Sequence, residues 1–279
     1  MLNILKSIIF GIVEGITEWL PISSTGHLYL FQAFMPLSGP KAFVSMYMVV
    51  IQLGAIMAVV VLYWKRLWPL RRIRTTKDSV GQIGWDHNIL KMWLKVIIAT
   101  IPAAVIGGPL DNFFEAHFYN PKSIAVMLIL FGILFIIVEN QNASRRARVY
   151  SIDDLTYRDI IIIGLFQLIA AMFPGTSRSG ATIIGALMIG VSRTTAAEFT
   201  FFLAIPAMFG GSLLKLRHFH HFTGSQAAVL AVGMIVAFAV SVAAIKFLMN
   251  YIKTHDFKPF GWYRIVLGIV VLAVGMLAH

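Results

Sequence analysis

Long runs without a charged side chain dominate the chain. Phe43–Trp64 holds 22 such residues and runs through Tyr63-Trp64 into Lys65-Arg66, an aromatic belt followed by a basic anchor. A helix needs about 20 apolar residues to cross a bilayer, so this run predicts a membrane span. Ile89–Leu110, Ile124–Val138, Thr195–Leu214, Gln226–Ile245 and Trp262–Ala278 predict five more. Two apolar stretches do not fit a simple span. Leu2–Leu30 is interrupted by Pro21-Ile22-Ser23-Ser24-Thr25-Gly26, and Ile160–Val191 by Pro174-Gly175-Thr176-Ser177-Arg178-Ser179-Gly180. Each predicts two short helices around a polar turn, with arms too short to span. Such a turn is tolerated at membrane depth only inside protein or facing a cavity, so both are expected to be re-entrant hairpins.

The two interrupted stretches align with each other. At an offset of 153 positions Gly11 meets Gly164, Glu14 meets Gln167, Pro21 meets Pro174, Ser23 meets Thr176 and Ser24 meets Ser177. A span ending in lysine follows each, at Lys65 and Lys215, and two more spans follow that. The unit is a hairpin plus three spans, repeated at about 1–139 and 160–279. Three is odd, so the second copy is inverted, and an inverted repeat sets two broken segments face to face near the midplane. The expected fold is an all-α polytopic membrane protein, a single domain over 1–279, with six transmembrane helices, two re-entrant hairpins and an inverted-topology repeat.

Composition agrees with that reading. Hydrophobic residues make up 58% of the 279 positions and charged residues 13%, about half the charge of a soluble domain. Neither a soluble surface nor a disordered chain can be built from this. The net charge of +11 does not point to nucleic acid, because most Lys and Arg lie between apolar runs. The loop from Lys65 to Lys95 alone holds eight basic residues and predicts a cytoplasmic segment. With alternating spans, 17 basic residues fall on that side and 5 on the other, Arg178 aside as buried. Both termini are then expected outside. There is no cysteine, which excludes disulfides, thiolate metal sites and a cysteine nucleophile. No signal peptide is expected, since Glu14 and Glu18 interrupt the first apolar stretch.

Ionisable groups at membrane depth are costly and mark function. Glu14, Glu18, His27, Arg178 and Glu198 qualify, and four of the five lie in the interrupted stretches. Glu14 and Glu18 stand four apart on one helix face. Two carboxylates that close repel unless a cation or proton lies between them, and a hard divalent cation takes such oxygens. In the first turn Ser23, Ser24, Thr25 and His27 offer a hydroxyl beside a base, or a histidine nucleophile. A plain helix cap with His27 as a polar tip explains the same turn. In the second, Thr176, Ser177, Arg178 and Ser179 precede an apolar helix beginning at Ala181. Hydroxyls, helix-start N–H groups and a guanidinium fork suit an oxyanion. The residues alone do not separate phosphate from sulfate or carboxylate. His218, His220 and His221 form a loop cluster that most simply holds no metal. Gln52 and Glu198 read as supporting or capping groups.

The motifs Glu14-Gly15-Ile16-Thr17-Glu18, Leu20-Pro21-Ile22-Ser23-Ser24-Thr25-Gly26-His27 and Pro174-Gly175-Thr176-Ser177-Arg178-Ser179-Gly180-Ala181-Thr182 carry a resemblance. In them, and in Val50-Ile51-Gln52-Leu53-Gly54, the sequence resembles the undecaprenyl-diphosphate phosphatases, the bacitracin-resistance family of bacterial inner-membrane proteins. The resemblance covers essentially the whole chain. It implies hydrolysis of a C55 prenyl diphosphate to the monophosphate and inorganic phosphate, which recycles the cell-wall carrier lipid and blunts bacitracin. It also implies Mg²⁺ or Ca²⁺, here at Glu14 and Glu18, a multi-pass place among inner-membrane lipids, and a homodimer as one form. On that basis Ser24 is expected to act as nucleophile or to position water, with His27 as base or acid and Arg178 on the phosphoryl group. Ser23, Thr25, Thr176, Ser177, Ser179 and Thr182 are expected to bind or support substrate. The competing expectation is a lipid-phosphate flippase or anion transporter, which shares the inverted-repeat architecture.

Overall fold

The computed structural model describes residues 1–73, 82–217, 219 and 222–277, and helices dominate it. In chain order they are α1 (Leu2–Thr17), α2 (Ser24–Phe34), α3 (Lys41–Val50), α4 (Gln52–Leu62), the short α5 (Trp64–Leu67), α6 (His87–Pro102), α7 (Gly108–Phe118), α8 (Pro121–Asn142), α9 (Tyr157–Met172), α10 (Arg178–Met188), α11 (Arg193–Arg217), α12 (Gly224–Tyr251) and α13 (Lys258–Leu277). Among the described residues, six helical stretches are long and apolar enough to cross a membrane: Lys41–Leu62, His87–Asp111, Pro121–Asn142, Arg193–Arg217, Gly224–Tyr251 and Lys258–Leu277. These are the six spans the apolar runs predict. The protein is a multi-pass membrane protein.

Local chemistry sets the boundaries. Asp86 accepts from the N–H groups of Asn88 and Ile89 at the start of α6, and Asn120 caps α8 with Pro121 in the first turn. Thr156 with Asp159 and Thr223 with Gln226 close reciprocal capping boxes on α9 and α12. Pro102 removes a donor from the second span, and the helix loosens into a π turn over Ala103–Gly107. The sequence reading has no strand, but the basic loop after α5 carries a small antiparallel ribbon, β1 (Leu70–Ile73) on β2 (Gln82–Trp85). The histidine cluster at 218, 220 and 221 lies outside the described residues.

The four helices around the two interruptions are shorter than a span. α1 packs on α12 and α9 on α6, at close approach. A Cβ on Gly11 would stand 2.7 Å from the Gly233 carbonyl, and one on Gly164 2.5 Å from that of Ala99. α10 is sheathed by α8, α9 and α11, and every residue from Ser179 to Leu187 is buried. The largest apolar core surrounds it, with Trp19 set edge-on to Phe201.

Charged groups tie this core together. Glu139 is 1% exposed and accepts from Arg193 Nε (2.9 Å) and Nη2 (2.5 Å) and from the Phe257 N–H (3.0 Å), fastening α8 to α11 and to the approach to α13. The sequence-drawn span stopped one residue short of Glu139 and left this carboxylate uncounted. Removing one partner of a buried pair costs about 3–5 kcal/mol. Arg193→Ala is therefore expected to lower the thermal midpoint in detergent by about 10 °C, and an unchanged midpoint would show the pair to be idle.

Candidate active site

The two polar turns meet. α1 ends at Thr17, and the chain turns through Glu18–Ile22 to Ser23, whose φ is +72°; α2 then begins. α9 ends at Met172, and the chain turns to Ser177, at φ +66°, before α10. These are the two non-glycine residues with positive φ among the described residues, and such strain clusters at functional sites. Each serine caps the helix it precedes: Ser23 Oγ accepts from the Gly26 N–H at 3.3 Å and Ser177 Oγ from the Gly180 N–H at 3.2 Å. The caps correct the alignment of the turns. Ser23 corresponds to Ser177 and Ser24 to Arg178, one residue beyond the offset of 153, because the second turn holds one extra residue after its proline.

The deciding contacts cross 160 positions of sequence. Arg178 Nη2 donates to Glu18 Oε1 at 3.1 Å, and Ser179 Oγ donates to the Glu18 carbonyl at 3.0 Å. Glu18 Oε2 accepts from Ser24 Oγ at 2.7 Å. One carboxylate thus joins the acidic stretch, the first hydroxyl turn and the arginine of the second. Arg178 Nη1 donates to the Thr200 carbonyl at 3.0 Å, and Nε is buried without a partner among the described residues. The fork is anchored at two hydrogens and keeps three to offer. Thr182 Oγ1 donates to the Arg178 carbonyl at 2.9 Å and lies 2.8 Å from Thr200 Oγ1, bracing α10 against α11.

Glu18, Ser24, Thr25, Ser177 and Arg178 line one cavity of about 180 Å³, together with Gln52 from the first span. The starts of α2 and α10 both open on it. The other expected binders stand behind this wall. Ser23 is buried in its cap, Ser179 is buried on the Glu18 carbonyl, and Thr176 is buried with its hydroxyl unpartnered among the described residues.

His27 is not where the sequence reading put it. The expected Ser24–His27 pair does not form. His27 Nδ1 lies 2.7 Å from the Ser23 carbonyl, one helical turn back, and Nε2 lies 2.7 Å from Tyr263 Oη, with the two rings stacked. A carbonyl only accepts, so Nδ1 carries the proton and Nε2 accepts from the tyrosine. Ser24, a residue further round the helix, turns to Glu18 instead.

Glu14 is fully buried, and neither of its oxygens has a hydrogen-bond partner among the described residues. An isolated carboxylate in that position is costly without a cation or a proton. Its oxygens fit the hard divalent cation that the resemblance implies, with Glu18 one turn along. No group of three or more His, Asp or Glu able to hold a metal exists among the described residues.

The sequence reading missed Arg264. It is fully buried and donates from Nη1 to the Pro21 carbonyl (3.2 Å) and from Nη2 to those of Gly175 (3.1 Å) and Thr176 (2.7 Å). One guanidinium therefore holds both turns. It lies inside the last apolar run and anchors at no headgroup, so it does not belong among the 17 basic residues assigned to the cytoplasmic side. The count on that side falls by one.

The bacitracin resistance protein BacA family model matches residues 7–270. The chain belongs to the BacA family. Among its relatives, the undecaprenyl-diphosphatase of Desulfitobacterium hafniense is 59% identical over 98% of this chain and 96% of its own length. Undecaprenyl-diphosphatase 1 of Clostridium acetobutylicum is 56% identical over 97% of each chain, and the undecaprenyl-diphosphatase of Enterococcus faecalis 53% over 98% and 97%. The BacA match spans both turns, so the residues gathered around Glu18 and Arg178 belong to the family region.

Proposed function

We propose that this protein is an undecaprenyl-diphosphate phosphatase of the bacterial cytoplasmic membrane. It hydrolyses the terminal phosphoanhydride of a C55 prenyl diphosphate, giving the monophosphate and inorganic phosphate. The observation that carries this is the Glu18 carboxylate shared by Ser24 and Arg178, set among near-full-length relatives named undecaprenyl-diphosphatase. A pure transporter has no use for a hydroxyl held on a carboxylate beside a phosphate-binding fork.

In this reading Arg178 receives the transferring phosphoryl group on its Nε hydrogen and its remaining Nη hydrogens, with the first-turn N–H groups of α2 and α10 beside it. Ser24 Oγ attacks the terminal phosphorus and passes its proton to Glu18. The bond from that phosphorus to the bridging oxygen breaks, and the prenyl monophosphate leaves. Glu18 gives that proton to the departing monophosphate, takes one from the water that attacks the phosphoserine, and returns it to Ser24 Oγ as inorganic phosphate leaves. Glu14, with Glu18, holds Mg²⁺ or Ca²⁺, which when bound offsets the charge on the diphosphate oxygens. His27, fixed by Ser23 and Tyr263, positions the start of α2.

The packing supports an inverted repeat with two re-entrant hairpins. α1 lies on α12 and α9 on α6; α4 lies on α12 and α11 on α6; α8 and α13 pack on each other. Every one of these contacts exchanges the halves, as a two-fold axis requires. Gly132 and Gly261 make it reciprocal, since a Cβ on either would meet the other's carbonyl at 2.7–2.8 Å. The bias of basic residues puts both termini outside.

Phosphate release from a prenyl diphosphate in detergent tests the enzyme reading, because no membrane sidedness exists there and a transporter releases none. Chelation should abolish turnover, and Glu14→Gln should raise the half-activating Mg²⁺ concentration about 10-fold or more. Unchanged cation dependence in that variant would remove Glu14 from the metal site. Rapid acid quench should trap an acid-stable phosphoryl group that Ser24→Ala eliminates. An acid-labile label that survives Ser24→Ala would move the nucleophile to His27.

A further inference from the structure

A second polar cavity lies at the other end of α10 and α11. Its volume is about 720 Å³, and Arg145, Arg146, Arg193, Lys253, Asn142 and Tyr150 are among its lining residues. The catalytic cavity reaches Gly211 on α11, whereas this one reaches Arg193. The nearest lining residues stand nine positions apart on α10, Arg178 and Leu187, about 14 Å of helix, and thirteen apart on α11, Thr194 and Ala207, about 20 Å. The two cavities therefore lie at opposite ends of α10.

Its charge is unbalanced. The one carboxylate in the wall, Glu139, is already consumed by Arg193 and the Phe257 N–H. Arg145, Arg146 and Lys253 make no ion pair with any described residue. Their neighbour Arg148 does, with Asp159 at 2.6 Å, so carboxylates are within reach of this segment but are not spent on the cavity. Three cations from two separate segments, the loop after α8 and the end of α12, thus face one hollow. Simple headgroup anchors need only lie along the bilayer surface. Cations gathered on one concavity repel until an anion is bound, and guanidinium forks match phosphate oxygens. The Tyr150 hydroxyl adds a neutral donor with no partner among the described residues.

We infer that this cavity is a second anion site, for a terminal phosphate group, separate from the catalytic cleft. The phosphate is that of a lipid headgroup or a free phosphate ion, since both present the same oxygens.

The test uses the full-length protein in nanodiscs of neutral phosphatidylcholine. Inorganic phosphate binding is measured by equilibrium dialysis, and farnesyl monophosphate serves as competitor. The Arg178→Ala variant removes the main donor of the cleft and should retain saturable phosphate binding. Adding Arg145→Ala, Arg146→Ala and Lys253→Ala should weaken that binding about 100-fold or more. Arg145→Lys with Arg146→Lys, Lys253 being kept, should instead retain most of it. In otherwise wild-type protein the triple alanine variant should keep its thermal midpoint and release phosphate from prenyl diphosphate at near the normal rate. Competition by farnesyl monophosphate at far lower concentration than phosphate itself identifies a lipid headgroup; equal potency identifies free phosphate. Binding that vanishes with Arg178→Ala, or that survives the triple alanine change, overturns the inference.

Discussion

Arg178→Ala is expected to lower kcat/KM for a prenyl diphosphate by about 10³-fold, the scale of losing a preorganised charge-bearing donor. Two separate effects would contribute. The phosphoryl group loses the free hydrogens on Nε, Nη1 and Nη2, and Glu18 loses the partner 3.1 Å away that balances its charge. Arg178→Lys keeps a positive charge but cannot reach the Thr200 carbonyl, Glu18 and substrate as one planar fork, so it should still lose about 10²-fold. The charge-balance effect can be removed from the comparison. Glu18→Gln combined with Arg178→Met removes both charges of this pair, so its thermal midpoint should recover relative to Arg178→Met alone while activity stays absent. Phosphate release in detergent and thermal unfolding on the same preparations provide both readings. Near wild-type turnover in Arg178→Ala would end the assignment of this arginine to the phosphoryl group.

The six spans were legible because membrane insertion writes itself into long uncharged runs. The two turns were legible for the opposite reason, since proline, glycine and hydroxyls at membrane depth have no other plausible use. What the runs concealed was direction. Ser24 and His27 are three apart and could share a face, yet the strained φ of Ser23 turns the helix start so that the hydroxyl meets Glu18 and the imidazole meets Tyr263. The one-residue slip between the turns also escaped notice, because an offset fitted on glycine and proline says nothing about which serine caps. Glu139 and Arg264 are hidden in the sequence for a common reason. Both sit near the ends of apolar runs, where a charge usually anchors at the headgroups, and burial there depends on a partner from a distant helix. Only packing shows that Arg193 and the Phe257 N–H wait for the one, and the carbonyls of Pro21, Gly175 and Thr176 for the other.

Arg264→Met is expected to be the most damaging change outside the catalytic cavity. The substitution keeps an unbranched side chain of similar reach in a site that is fully buried, so little packing is lost. What disappears is the set of donors to three carbonyls in two turns. Buried carbonyls left without donors cost roughly 1–3 kcal/mol each, and a loss of about 3–5 kcal/mol overall corresponds to a thermal midpoint lower by about 10 °C. The effect on chemistry should exceed the effect on stability. Pro21 leads into Ser24, and Thr176 into Arg178, so a turn free to drift by about 1 Å moves the hydroxyl and the fork apart, a displacement worth about 10²-fold in rate. Activity is therefore to be measured well below the variant's own midpoint, where the protein is folded. Arg264→Lys should recover part of the stability, since an ammonium can still reach one turn, but little of the rate, since it cannot hold both in one plane. If Arg264→Met lowered the midpoint yet left kcat/KM intact at low temperature, the guanidinium would be a fastening of the fold alone. The joining of the two turns would then have to come from Glu18, Ser179 and Arg178 without it.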